Sequence, residues 1–411
     1  MSEAAATAPA PRRAAFAFIF VTVMLDMLAL GLVVPVLPQL ILQFEGGDTA
    51  DAAHVVGILG ALWATMQFLS MPVMGALSDQ VGRRPVILVS NFGLALAYAM
   101  VAAAPSLVWL FVARAVNGIC AASVSTANAY VADVTAPDKR AAAFGMLGAA
   151  FGAGFILGPA IGGLLGADDP RLPFWVAAGM SLANGLYGLF VLPESLPVDR
   201  RSRFSWRRAN PVAAFGFLNR RPAIRGLATS RFLEGLAQVV LPTIFVLYAT
   251  HRYGWDTRTI GLTLAGAGLG SVLVNAGLVR HAVRIFGERR ALLIGLACGT
   301  AGFAIYGLAP EGWIFLLGLP IAALLAFSGA SAQAILSRQV GPEEQGQLQG
   351  ALAALIGVAG MIGPLTFTAV YAAALDGTLG FSLPGAPLLA AAGLLAAAWV
   401  IARRATRGIA T

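Results

Sequence analysis

Four ionisable side chains interrupt long apolar runs in this chain: Asp26, Arg114, Arg231 and Glu234. Placing any of them at the centre of a hydrocarbon layer costs about 2.5 to 3.5 kcal/mol, so each asks for a compensating role. A carboxylate in such surroundings changes its hold on a proton when water, a ligand or a neighbouring arginine gains or loses access to it. Asp26 and Glu234 are therefore candidate proton carriers, with Arg114 the group that tunes or replaces the proton. The alternative is structural, with static Asp26–Arg114 and Arg231–Glu234 salt bridges.

The polar neighbours of these residues recur at helical spacing. Arg114, Asn117, Ala121, Ser125 and Asn128 share one face of a helix. Arg231, Glu234, Gln238 and Phe245 repeat the device, and Trp63 and Gln67 offer a third set. At a rise of about 1.5 Å per residue, Asp26 and Glu234 lie about 15 Å from one end of their helices, and Arg114 about 10 Å from the other. All three reach a similar depth, where these faces would line a central cavity for a small molecule. Interhelical hydrogen bonding is the competing role for Asn117, Asn128 and Gln67.

A charged turn, Gly75-Ala-Leu-Ser-Asp79-Gln-Val-Gly82-Arg83-Arg84-Pro85, joins two apolar stretches. Its glycines permit close helix approach and a tight turn, and Asp79 with the Arg83/Arg84 pair can form ion pairs that latch a neighbouring helix. An ordinary basic loop is the alternative. Gly154, Gly158, Pro159, Gly162 and Gly163 leave one side of another helix nearly bare and kinked. Such a face suits helices that slide or rock, or simply pack closely.

The elements that must carry these groups are membrane helices. In 411 residues, 58% are apolar and 11% charged, with a mean hydropathy of +0.80, which excludes an ordinary soluble protein. Twelve apolar stretches, near 16–42, 53–77, 86–104, 107–131, 141–166, 172–193, 224–250, 258–282, 290–308, 312–336, 345–374 and 384–402, are each long enough to cross the bilayer. The expected fold is an all-α membrane protein of twelve transmembrane helices in two pseudo-symmetric six-helix halves, 1–193 and 224–411, joined by a basic linker, 194–223. In the linker, Arg200-Arg-Ser-Arg-Phe-Ser-Trp-Arg-Arg208 suits an anionic membrane surface. Gly158-Pro159 is echoed by Gly363-Pro364, and Gly82-Arg83-Arg84 more weakly by Gly287-Glu288-Arg289-Arg290, where Arg284 falls at the position of Asp79. The latch is thus expected to be stronger in the first half.

Alternate loops differ in basic residues. Twenty-two Lys and Arg fall on the side of the termini and only Arg171, Arg252 and Arg258 on the other, which predicts both termini in the cytoplasm and no cleaved signal peptide. This asymmetry also explains the net charge of +8 without nucleic acid. Cys120 and Cys298 lie in apolar stretches with no Cys or His at ligand spacing, so neither disulfide, metal nor cofactor is indicated. No nucleophile with a base marks an enzyme, and the short tails offer no output domain for a membrane sensor.

Several of these motifs resemble the drug/proton antiporter branch of the major facilitator superfamily. The Gly75–Pro85 turn, Arg114-x-x-x-Gly118-x-x-x-Ala122 and Gly154-x-x-x-Gly158-Pro159-x-x-Gly162-Gly163 are similar to its motifs in the 2–3 loop and in helices 4 and 5. Leu25-Asp26, Gly31-Leu-Val-Val-Pro35-Val-Leu-Pro38, Ser125-Thr-Ala-Asn-Ala-Tyr-Val-Ala-Asp133, Tyr253-Gly-Trp255 and Leu348-Gln-Gly350 resemble the tetracycline-resistance efflux proteins, over roughly 16–400. The resemblance implies a monomer in the inner membrane that exchanges protons for a drug-like amphipathic compound, tetracycline among the candidates. In it Asp26 and Arg114 would handle substrate and proton, and Asp79 and Arg83 would gate. Those exporters carry acids within helices 3 and 9, whereas Asn91–Tyr98 and Gly295–Gly299 have none here. Glu234 is the acid placed to compensate. A proton symporter importing a small metabolite is the rival, which the helix-5 motif disfavours.

Overall fold

The computed structural model describes residues 10–121, 124–204, 216, 222–378 and 383–407. Much of the linker, including Trp206, Arg207 and Arg208, and also Ala122, lies outside them. Among the described residues, eleven helical runs are long and apolar enough to cross a membrane. One, Thr257–Leu308, is 52 residues long and carries a non-helical residue, Gly287 at φ 75° and ψ 161°, which divides it into two crossings. The twelve spans are thus accounted for. We number them 1 to 12: Phe18–Phe44, Thr49–Val81, Arg83–Ala102, Leu107–Val134, Ala142–Leu165, Leu172–Val191 and Ile224–Tyr253 are spans 1 to 7. Thr257–Leu308 holds spans 8 and 9, and Gly312–Arg338, Gln345–Leu375 and Ala386–Ala405 are spans 10 to 12.

Packing repeats between the halves. Span 1 packs on spans 5 and 6, and span 3 on spans 4 and 6; span 7 correspondingly packs on spans 11 and 12, and span 9 on spans 10 and 12. The helix breaks repeat as well. Span 1 loses its helix at residues 34–36, around Pro35, and span 7 at Val239, where the chain turns once before Val240. In lipid every freed backbone group must find a partner, and here three-residue turns supply it: Val36 N–H donates to Val33 O, and Val239 N–H to Leu236 O.

The halves meet along two seams, span 2 on span 11 and span 5 on span 8. With no hydrophobic force between helices in lipid, close approach depends on small residues. A Cβ on Gly163 would lie 2.8 Å from Gly261 Cα, and one on Gly268 would lie 3.2 Å from Phe155 O. Gly57 fits against Thr368, and Phe68 against Gly357. Both seams run from the end bearing the short 45–48 loop to mid-depth and then part. Nearer the basic end, at Gly75, Gly145, Gly148, Gly277, Gly346 and Gly350, a Cβ would meet nothing within 4 Å. The bundle is sealed at one end, where Gln39 Nε2 also donates to Thr250 Oγ1 at 2.7 Å across the halves, and open at the basic end.

Candidate functional site

Asp26 sits on span 1, one turn beyond Thr22, and its partner comes from span 6. Asn184 Nδ2 donates to Asp26 Oδ1 at 3.0 Å and to Thr22 O at 3.1 Å. No described ion pair involves Asp26 or Arg114, so the Asp26–Arg114 salt bridge considered from sequence does not form in this state. Arg114 instead lies over the Trp63 ring at 5.5 Å from its centre, and its buried Nε has no hydrogen-bond partner. Trp63 Nε1 in turn donates to Asn117 Oδ1 at 2.8 Å, which makes Asn117 an interhelical tie between spans 2 and 4. Tyr98 of span 3 lies within electrostatic range of both Asp26 and Arg114 and interacts with Asn117.

Glu234 is only 1% exposed and is held from three sides. Ser328 Oγ donates to its Oε1 at 2.5 Å, Gln238 Nε2 donates to the same oxygen at 3.2 Å, and Arg231 Nη1 lies 2.8 Å from Oε2. Ser328 and the neighbouring Gly329 belong to span 10, and the absence of a side chain at Gly329 leaves room for the Arg231 guanidinium.

Two cavities adjoin these groups. One, about 360 Å³, lies between the halves, apolar except for Trp63, Arg114 and Thr243. The other, about 700 Å³, lies within the second half and is lined by Arg231, Glu234, Gln238, Ser271, Asn275 and Gln333 among apolar neighbours. Pro242 borders both, so they adjoin, and their sizes fall in the usual range of about 300–1,000 Å³ for small-molecule sites. Neither is lined by Asp26, Gln67, Asn117, Ser125 or Phe245. Phe245 departs from the face expected for it. Its ring stacks on Phe315 at 5.3 Å and meets Trp255 at 6.3 Å in an aromatic cluster, because the break at Val239 interrupts the helical register linking it to Glu234.

The latch is built at the basic end. Arg83 lies 2.5 Å from Asp79 and 3.2 Å from Asp133 of span 4, and donates to Ser78 Oγ at 2.6 Å. The Glu194 carboxylate accepts the Arg83 and Arg84 N–H groups at 2.8 and 3.2 Å, and Arg84 Nη2 donates to Leu189 O. The latch therefore ties spans 2, 3, 4 and 6 within one half. Gly82 has φ 108°, open to glycine alone without strain, and a Cβ there would collide with Glu194. Gly75 does not fill a close approach in this state.

The second half has its own latch, and its charges are reversed. Glu288 pairs with Arg338 at 2.5 Å, 50 residues further along, the same separation as Arg83 and Asp133. The inner members, Arg83 and Glu288, are each 11% exposed. With Arg284 where an acid would stand, the second latch has one described ion pair where Arg83 has two. The pairing survives because the acid and base exchange places.

The helix-5 motif divides between two neighbours. Gly154, Gly158 and Gly162 face span 1 at Met27–Leu28, Gly31 and Leu32, while Gly163 and the Pro159 carbonyl face Gly261 of span 8. One set packs within its half and the other forms a seam between halves.

Sequence reasoning missed Asn184, Tyr98, Ser328 and Glu194. Asn184 carries the clearest signal, an amide among apolar residues of span 6. Among the described residues no group of His, Cys, Asp and Glu could hold a metal ion.

Two six-helix halves with repeated packing and two adjoining cavities, closed at one end and open at the other, define a membrane transporter. The chain belongs to the major facilitator superfamily, whose family model matches residues 19–364 and 227–410. It is 41% identical over 355 residues to the class C tetracycline resistance protein of Escherichia coli, covering 86% of this chain and 88% of the relative. It is 37% identical to the class G protein of Vibrio anguillarum, over 85% of this chain and 88% of that one. Among solved structures, the nucleoside transporter NupG superposes with a TM-score of 0.78 at 14% identity, covering 95% of this chain and 99% of its own. A bacterial homolog of the human lysosomal transporter Spinster, in an inward-facing and unoccupied conformation, gives 0.77 at 17% identity, with 98% of each chain covered. These two likenesses concern the fold. The chain is a multi-pass membrane transporter of this superfamily and not an enzyme.

Proposed function

We propose that this transporter exports a drug-like amphipathic compound, tetracycline being the leading candidate, from the cytoplasm in exchange for protons. The observation that carries the reading is the 41% identity, over nearly the whole chain, to a tetracycline resistance protein. The paired cavities support it, one apolar with a cation at its edge and one polar, which suits a molecule with one greasy and one hydrogen-bonding face.

Asp26 is the better proton carrier. Its one described side-chain donor is the neutral Asn184 amide, so taking up a proton strands no cation. Glu234 is paired with Arg231, and protonating it leaves a largely buried guanidinium uncompensated. A substrate oxygen that engages Arg231 would release Glu234 for protonation, coupling the two events. Trp63, Arg114, Arg231 and Gln238 contact the substrate in this reading, while Asn117 positions Trp63, and Gln67 and Ser125 lie outside the two cavities.

The basic end is cytoplasmic, following the excess of Lys and Arg there, and the membrane is the inner one. The open state then faces inward with the Arg83–Asp79 pair already formed inside one half, and the latch favours the outward-facing state through what Asp79 meets when the basic end closes. The protein works as a monomer without nucleic acid. Tetracycline uptake into everted membrane vesicles with an acidified lumen tests the reading. Accumulation that collapses with a protonophore, and is missing in vesicles carrying Asp26→Asn, is expected. Loss of a preloaded metabolite from the vesicles down the proton gradient, with no drug uptake, would establish the symporter instead.

A further inference from the structure

The two seams between the halves run in register, and that register can be followed past the point where they part. On the span 5–span 8 seam, Gly163 meets Gly261, Ile156 meets Gly268, and Gly152 meets Val272. Each step toward the basic end is the same length on both helices. The same count carried on pairs Arg140, the first helical residue of its run, with Arg284. A π turn at Val274–Leu278 shifts the match by about one residue, which leaves Arg284 against the first helical turn begun by Lys139 and Arg140.

On the span 2–span 11 seam, Gly57 meets Thr368, Gly60 meets Pro364 and Phe68 meets Gly357. The same extension brings Asp79 to Gln345, which starts span 11 and whose side chain bonds Ser337 O beside Arg338. On this seam an acid therefore approaches the positive end of a helix with Arg338 nearby, which is favourable, and with Glu343 and Glu344 just before that helix, which is not. On the other seam an arginine approaches a helix start where Lys139 and Arg140 outnumber the single acid Asp138, which is unfavourable for both the side chains and the helix end.

The reversed charges of the second latch thus bring an arginine, where the first latch has an acid, toward the helix start on the span 5–span 8 seam. Lys139, Arg140, Arg280 and Arg284 are all exposed at the parted end, and neither Arg140 nor Arg284 takes part in a described ion pair. Arg140 only donates from Nε to Thr135 O of its own half. Asp133, at the end of span 4, is already engaged by Arg83 and Ser195, and Asp138, two residues before Arg140, forms no described ion pair with it.

We propose that Arg284 and Arg140 form a like-charge spacer that holds the basic end of this transporter open on the span 5–span 8 side, so that closure must overcome their repulsion. The device is conformational and does not depend on which compound is carried.

The proposal is tested by the sign pattern of a double charge reversal. In protein carrying Cys120→Ala and Cys298→Ala, spin labels on Met71→Cys and Gly350→Cys, one in each half and on the other seam, report the fraction of molecules with a closed basic end. Arg284→Glu alone, and Arg140→Glu alone, should each raise the ratio of closed to open about fivefold, as a repulsive exposed pair becomes an attractive one. Both together restore like charges and should return the ratio close to its starting value. Raising the salt concentration should increase the closed fraction of the unreversed protein and shrink every difference. Single reversals without effect, or a double reversal that adds the two single effects, would overturn the proposal. The readout needs no substrate, so it stands or falls separately from the transport assignment.

Discussion

Asp26 is held by Asn184 and not by an arginine: the amide of span 6 donates to the carboxylate of span 1 at 3.0 Å, while Arg114 rests on the Trp63 ring. A neutral donor can keep its bond to a carboxylate or to a protonated carboxyl by turning or by losing one contact. A guanidinium partner would oppose protonation outright. The geometry therefore favours Asp26 as the group that binds and releases the proton.

Asn184→Ala should slow proton-driven drug transport about tenfold while leaving the protein folded. The variant loses one hydrogen bond to Asp26 and one to Thr22 O, each worth about 1 kcal/mol. Initial uptake rates and thermal stability, compared in the same preparation, check this. Asn184→Gln should recover part of the rate, since an amide remains.

Glu234→Gln should destabilise the protein by roughly 3 kcal/mol, because it leaves Arg231 without its counter-ion in a mostly buried site. Glu234→Gln combined with Arg231→Met should regain most of that stability. Drug binding should not recover in the double variant, as the guanidinium is gone. Melting temperature and equilibrium binding, measured on the four proteins, separate the two effects.

Gly82→Ala should cost roughly 1 to 3 kcal/mol from the positive φ alone, with more from displacement of Glu194. Gly75→Ala should cost little in this state, since nothing lies within 4 Å of the new methyl. A melting-temperature comparison of the two decides the matter.

Gly57→Val would drive a branched side chain into Thr368 at the sealed end. The seam should part there, and a cysteine placed at Gly60 should become reactive toward a membrane-impermeant thiol reagent from the side opposite the basic end. Gly393→Val, where a Cβ meets nothing within 4 Å, should leave that reactivity unchanged.

The architecture was legible because membrane helices announce themselves by length and apolarity, and all twelve stretches correspond to spans. The Arg83–Asp79 ion pair was legible because the two charges stand four residues apart around a tight turn. Asn184 and Ser328 were not, since a single amide or hydroxyl in an apolar helix does not say which neighbour it faces. Phe245 was misplaced because helical spacing was carried across Val239, where the helix breaks. Arg284 counted against a second latch when judged alone. Only the folded chain shows that Glu288 and Arg338, 50 residues apart, reverse the first latch's charges.

The most direct test of the account is uphill transport in proteoliposomes under an imposed pH gradient, comparing the unaltered protein with Asp26→Asn. The account predicts drug accumulation against its gradient in the first. In the second it predicts none, with drug exchange at equal concentrations retained. Undiminished uphill accumulation by Asp26→Asn would contradict it, and the proton would have to be carried elsewhere.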